Sequence, residues 1–168
     1  WDIDSLYADY YRVAWRFVPN WLGTSLLVMF GFLLPLPVVE KLLISVALIV
    51  FCTGFACLLR RGREDAPVVL LAVPAFGWGF WLHMGFYNYS LGLALLPWGW
   101  LFMAQLLERS AGDSRTTKRA AAALCICSVA AFFAHPIAAI AILTAAASMW
   151  LGHSRLSIRH GLPLALRL

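Results

Sequence analysis

The chain has 168 residues, 62% of them hydrophobic and 12% charged, with a formal charge of +5 and a mean hydropathy of +0.81. Soluble domains carry about 25% charged residues, and a water-soluble fold of this length has too little interior to hide so much apolar surface. The positive charge does not point to nucleic acid either, because Lys and Arg fall in short clusters between apolar runs and are not interleaved with aromatics along one surface.

Lipid is the solvent that suits such a composition. In lipid every backbone N–H and C=O needs a partner within the protein, so only helices or closed barrels span. Barrel strands alternate apolar and polar over about ten residues, whereas the apolar runs here are continuous. The expected fold is therefore all-α: a polytopic transmembrane bundle of about five spanning helices plus a short interfacial helix. The chain begins at Trp1, not Met, and residues 161–168 read as the opening of a further apolar segment. Both features are expected of a piece of a longer protein.

Residues 1–37 come first, expected as an extracytoplasmic loop. Within them Trp21–Leu34 is apolar but short, and is interrupted by Gly23, Thr24 and Gly31. Trp15, Trp21, Tyr7, Tyr10 and Tyr11 nearby favour the headgroup zone, which suits a helix lying on the membrane over one crossing it. The bundle then occupies 38–160. Val38–Leu59 is long enough, at about 1.5 Å per residue, to cross a hydrocarbon core of about 30 Å. Pro67–Met84 carries Pro74, Gly77 and Gly79 and is expected to kink. Tyr89–Leu107 follows, then the polar stretch from Glu108 to Arg119. Ala120–Ala134 is rich in alanine and breaks at His135-Pro136, where a fifth run begins that ends near Leu151. Small residues four apart, Ala130/Ala134 and Ala141/Ala145, suit close packing of the last two helices.

Arg60, Arg61, Arg63, Arg109, Arg115, Lys118, Arg119, Arg155 and Arg159 all fall at one set of helix ends under strict alternation. Positively charged connectors stay in the cytoplasm. The opposite, extracytoplasmic ends then collect Asp2, Asp4, His83, Asn88 and His135. Localisation to a plasma (inner) membrane as a multi-pass protein, with membrane lipids as the surrounding partners, follows.

Ionisable groups at the edge of an apolar bundle are costly unless paired, hydrated or useful. Asp2 and Asp4, two residues apart, could hold a divalent metal ion through oxygen ligands, or one could act as a general base; solvated loop carboxylates are the plainer alternative. His83 opens a short turn and suits an anionic headgroup or phosphate. Asn88 either caps the helix that follows or touches substrate, and His135 either bonds a free carbonyl at a helix end or joins a polar site. Cys52, Cys57, Cys125 and Cys127 lie inside apolar runs and read as small hydrophobes. No phosphate-binding glycine loop, dinucleotide fingerprint, zinc-protease motif or nucleophile elbow occurs.

Asp9-Tyr-Tyr-Arg-Val, Phe17-Val-Pro-Asn-Trp21, the stretch Gly85–Leu95 and the helix-closing His135 resemble a group of uncharacterised bacterial polytopic membrane proteins. More distantly the layout resembles GT-C-type glycosyltransferases, which use polyprenyl-phosphate-linked sugars and carry acidic residues in their first extracytoplasmic loop. That resemblance implies Asp2 and Asp4 as base or metal ligand, and His83 and His135 as contacts to the donor phosphate. A transporter or channel subunit, or a structural membrane protein without catalysis, are the competing readings. In a cysteine-free background, a cysteine at position 4 should be labelled by an impermeant reagent from outside intact cells and one at position 114 should not; the reverse pattern overturns the orientation.

Overall fold

In a computed structural model, the described residues are 19–61, 73–77, 86–109 and 114–161. They form six helices and, among the described residues, no strand: α1 (Leu22–Gly31), α2 (Leu36–Leu59), α3 (Val73–Gly77), α4 (Tyr87–Arg109), α5 (Ser114–Ala134) and α6 (Pro136–Gly161). Four of these, α2, α4, α5 and α6, are long and apolar enough to cross a membrane. The expected all-helical, multi-pass architecture is the one found. Of the run expected over 67–84, only α3 lies within the described residues.

Two boundaries differ from those expected. α5 begins at Ser114, six residues before Ala120, and α6 continues past Leu151 to Gly161. Hydropathy ends a segment where the hydrocarbon ends, but backbone hydrogen bonding does not stop there. Lys and Arg are good helix formers whose long stems reach back along apolar surface. The basic residues Arg115, Lys118 and Arg119 therefore sit on helical turns that prolong a span.

The directions of the helices follow from their contacts. At one end Arg61 donates to the Glu108 carboxylate, joining the carboxyl ends of α2 and α4. At the other, the Tyr87 hydroxyl donates to Glu40, joining their amino ends. Midway, Trp98 Nε1 donates to the Val50 carbonyl at 2.9 Å. α2 and α4 are thus parallel, so the end of α2 and the start of α4 lie at opposite ends of the bundle. α5 returns antiparallel, and α6 runs parallel to α4, with Ala138 against Gly92 and Ile142 against Gly99.

α1 does not cross. Its 10 residues span only about 15 Å, half a hydrocarbon core. Gly23 in its first turn meets Asn88, while Glu40 on α2 meets the adjacent Tyr87. The chain therefore leaves and regains one level of the bundle between residues 23 and 40. Trp21–Leu34 is expected from sequence to lie along the membrane surface; the helix found there is 10 residues long and carries no charged residue.

α4 packs against all five other helices and is the centre of the bundle. Lipid tails are as apolar as leucine, so helix association in a membrane depends on close van der Waals fit more than on burial of apolar area. Glycines provide that fit here. A Cβ on Gly54 of α2 would lie 2.7 Å from Trp98 Nε1 and 2.8 Å from Pro97 Cγ, and one on Gly99 of α4 would lie 2.7 Å from Ile142 Cγ2. Cys127, Ala131, Ala138, Ala139 and Ile142 form the buried cluster between α5, α6 and α4. Of the expected small-residue pairs, Ala134 is fully buried, but Ala130, Ala141 and Ala145 are only half-buried. The seam runs one position away from the last three, because α4 takes part in it and turns each helix toward a third partner.

Large apolar side chains cover the outside, including Ile126 (70% exposed), Ile140 (61%) and Ile49 (61%), which lipid would cover. Among the described residues no polar or charged residue is buried as a whole. Gly99→Leu is expected to destabilise the bundle by about 1–3 kcal/mol through overpacking. Gly152→Ala, where nothing lies within 4 Å, should be neutral or slightly stabilising. Thermal unfolding in one detergent compares the two.

Candidate functional site

The polar residues of the bundle gather at the end away from the basic helix termini, and the hydrogen-bond needs of helix ends explain how. α5 stops at Ala134 because Pro136 has no N–H to continue it. His135 closes one helix and opens the next: its N–H donates to the Ala131 carbonyl (2.7 Å) and its carbonyl accepts from Ala138 N (2.9 Å). The break leaves the Phe133 carbonyl without its intrahelical donor, and Trp21 N takes it at 2.8 Å. The start of α1 is thereby fastened to the end of α5.

Asn88 completes the fastening. α1 has no side-chain cap of its own at Trp21. Instead Asn88 Oδ1, on the first turn of α4, accepts from Gly23 N at 2.5 Å, and Asn88 Nδ2 donates to the Asn20 carbonyl at 2.8 Å and to Thr24 Oγ1 at 3.4 Å. Asn20 holds φ of 69°, a left-handed conformation that asparagine tolerates better than most residues. Gly23 is needed for the approach, since a Cβ there would lie 2.8 Å from Asn88 Oδ1. Asn88 is thus a cap, but for a helix 65 residues earlier in the chain and not for its own.

A cavity of about 290 Å³ opens between these elements, lined by Asn20, Thr24, Leu27, Tyr87, Asn88, Tyr89 and His135, with Phe86 at its edge. Its volume is just below the roughly 300–1,000 Å³ usual for small-molecule sites. The His135 ring meets Tyr89 edge-on, with centroids 5.2 Å apart and planes at 89°. Nδ1 of His135 is buried without a hydrogen-bond partner, so the ring nitrogen does not bond a helix-end carbonyl as its position in sequence suggests. An unmet buried polar atom costs about 1–3 kcal/mol and calls for an explanation such as a ligand. The other such atom, Trp100 Nε1, lies on the middle of α4, whose indole meets Phe55 edge-on and lines no part of this cavity.

The structure therefore brings together two of the five residues singled out from sequence, Asn88 and His135. Asp2, Asp4 and His83 lie outside the described residues. Asn20, Thr24, Tyr87, Tyr89 and Glu40 join the polar end without having been singled out. Glu40 in particular reads in sequence as an interruption of an apolar run, although a carboxylate inside such a run is itself a signal that a partner waits in space. Among the described residues, no three His, Cys, Asp or Glu side chains come together as metal ligands.

Parallel and antiparallel apolar helices with a polar pocket at one end define a multi-pass helical membrane protein. The chain belongs to the family of unknown function DUF6541, whose sequence profile matches residues 10–163. No curated protein matches it. No solved structure matches it either. The likeness to GT-C-type glycosyltransferases therefore rests on sequence layout alone.

Asn88→Ala removes the cap and both donated bonds. It is expected to cost about 1–3 kcal/mol and to speed amide hydrogen exchange across 22–31 while leaving α6 protected. Unchanged exchange in α1 would refute the clamp.

Proposed function

We propose that this protein is a glycosyltransferase-like membrane enzyme that takes a lipid-linked sugar at the end of the bundle opposite its basic helix termini, on the extracytoplasmic side of a bacterial inner membrane. The observation that carries the proposal is the cavity where Asn20, Asn88, Tyr89 and His135 converge, with one buried histidine nitrogen lacking a partner. Such a cavity suits the polar head of a substrate whose remainder stays in lipid.

On this reading the pocket residues bind and orient. His135 and His83 contact the donor phosphate, and the Asn88 clamp holds α1 against the pocket. Asp2 or Asp4 accepts the proton of the acceptor hydroxyl as its oxygen bonds to the anomeric carbon. The bond from that carbon to the phosphate oxygen breaks, and the polyprenyl phosphate leaves with the electron pair. A divalent ion, where one is used, would be held by Asp2 and Asp4 and would supply neutralisation of the departing phosphate. Transport finds less support: in the described spans Glu40, Lys41, Glu108, Arg115, Lys118, Arg119 and His153 all lie toward helix ends, not at the midplane where coupling groups work.

The test is sugar transfer from polyprenyl-phosphate-linked sugars by the full-length protein in proteoliposomes. Asp2→Asn or Asp4→Asn should lower turnover about 10²-fold or more with an unchanged melting temperature. His135→Ala should raise KM about tenfold. Turnover unaffected by either aspartate substitution would remove the enzymatic reading.

A further inference from the structure

The polar pocket does not end at its apolar wall. Thr24 and Leu27 line it and also line a second cavity of about 540 Å³, bounded by Val28, Gly31, Phe32 and Leu34–Leu36 in the angle between α1 and α2. The first cavity is more polar, lined by Asn88, Tyr89 and His135; the second is apolar. Their junction is one turn of α1.

Among the described residues, little covers the side chains of this corner. Phe32 is 85% and Leu33 77% exposed, and Val28 and Met29 are more than half exposed. α1 also has no charged residue over its whole length. A helix lying on a membrane normally sets a charged face toward water, and α1 has none to set, so its apolar sides all need apolar neighbours. Gly31 leaves room for one: among the described residues, a Cβ built there meets only Leu36 Cδ1, at 4.0 Å.

We propose that the α1–α2 angle is a cleft for the hydrocarbon chain of an amphiphilic phosphate lipid whose head occupies the Asn88/His135 pocket. The proposal rests on the reading of that pocket as a headgroup site. The adjacency of the two cavities, which share Thr24 and Leu27 as lining residues, selects the occupant: it has to be polar at one end and apolar at the other, with the two parts about a helical turn apart. A second protein would cover the corner but would not need the polar cavity behind it, and a free phosphate would fill the pocket but leave the cleft open.

The experiment uses the full-length protein in phosphatidylcholine vesicles with a polyprenyl phosphate carrying a photoreactive diazirine on its chain, mapped by peptide mass spectrometry. A phosphatidylcholine with the same group on its acyl chain reports ordinary lipid contact. The polyprenyl probe should label residues 27–36 about tenfold more, relative to the exposed Ile126, Val129, Ile140 and Leu143 of α5 and α6, than phosphatidylcholine does. Excess unlabelled polyprenyl phosphate should compete this labelling away, and inorganic phosphate should not. Gly31→Leu or the exposed-site change Val28→Trp should abolish the preference, while Val46→Trp, on the lipid-facing side of α2, should leave it intact. Equal labelling around the bundle, or a preference that survives both cleft-filling variants in folded protein, overturns the cleft. Cleft labelling that is insensitive to His135→Ala supports the chain cleft and instead sinks the headgroup assignment.

Discussion

The close approach of α4 to its neighbours is the constraint on which everything else in this bundle depends. Between helices in lipid there is little hydrophobic gain, so stability comes from how many atoms meet at contact distance. Gly54, Gly92 and Gly99 let side chains from the facing helix reach the backbone directly, and each would collide with a neighbour on gaining one carbon. Pro97 is buried at the same seam, and although it removes one intrahelical donor, it fits the surface that Gly54 leaves. With α4 held so tightly, its first turn becomes a fixed platform at the polar end.

That platform is where structure and chemistry meet. Tyr87, Asn88 and Tyr89 are consecutive, and each is turned toward a different partner: Glu40 on α2, the start of α1, and the His135 ring. Three elements far apart in sequence are placed by one helical turn. Of the polar groups so gathered, Asn88 is spent on holding α1 in place and Tyr87 on joining α4 to α2. His135 Nδ1 has no hydrogen-bond partner, and the proposed binding role rests on this unmet capacity in a cavity of about 290 Å³.

The role of α1 follows from the same arrangement. It is too short to span and too apolar to lie on a surface with one face in water, yet it is tied at its amino end by Asn88 and by the Phe133 carbonyl. Among the described residues its carboxyl end makes only local bonds where the chain turns at Pro35 into α2, with Leu33 N and Leu34 N donating to Phe30 O and Val38 N to Pro35 O. A helix fixed at one end and open along its side forms a wall that joins a polar pocket to an apolar cleft.

Much of this was legible in the residues themselves. Composition and unbroken apolar runs determined an all-helical membrane bundle, because lipid offers the backbone no hydrogen bonds and leaves few structures to choose from. His135-Pro136 marked a helix junction, since a missing N–H acts locally, and the basic clusters marked one set of helix ends. Helix limits such as Ser114 and Gly161 were less visible, because a helix continues into the polar zone where hydropathy no longer reports it. Only the tertiary structure decided that Asn88 caps α1 in place of its own helix, that Glu40 has a partner in Tyr87, and that the buried small-residue seam is centred on Ala131 and Ala138. These depend on which faces of separate helices meet, and that is set by packing around α4, a property of the assembled bundle that no single segment carries.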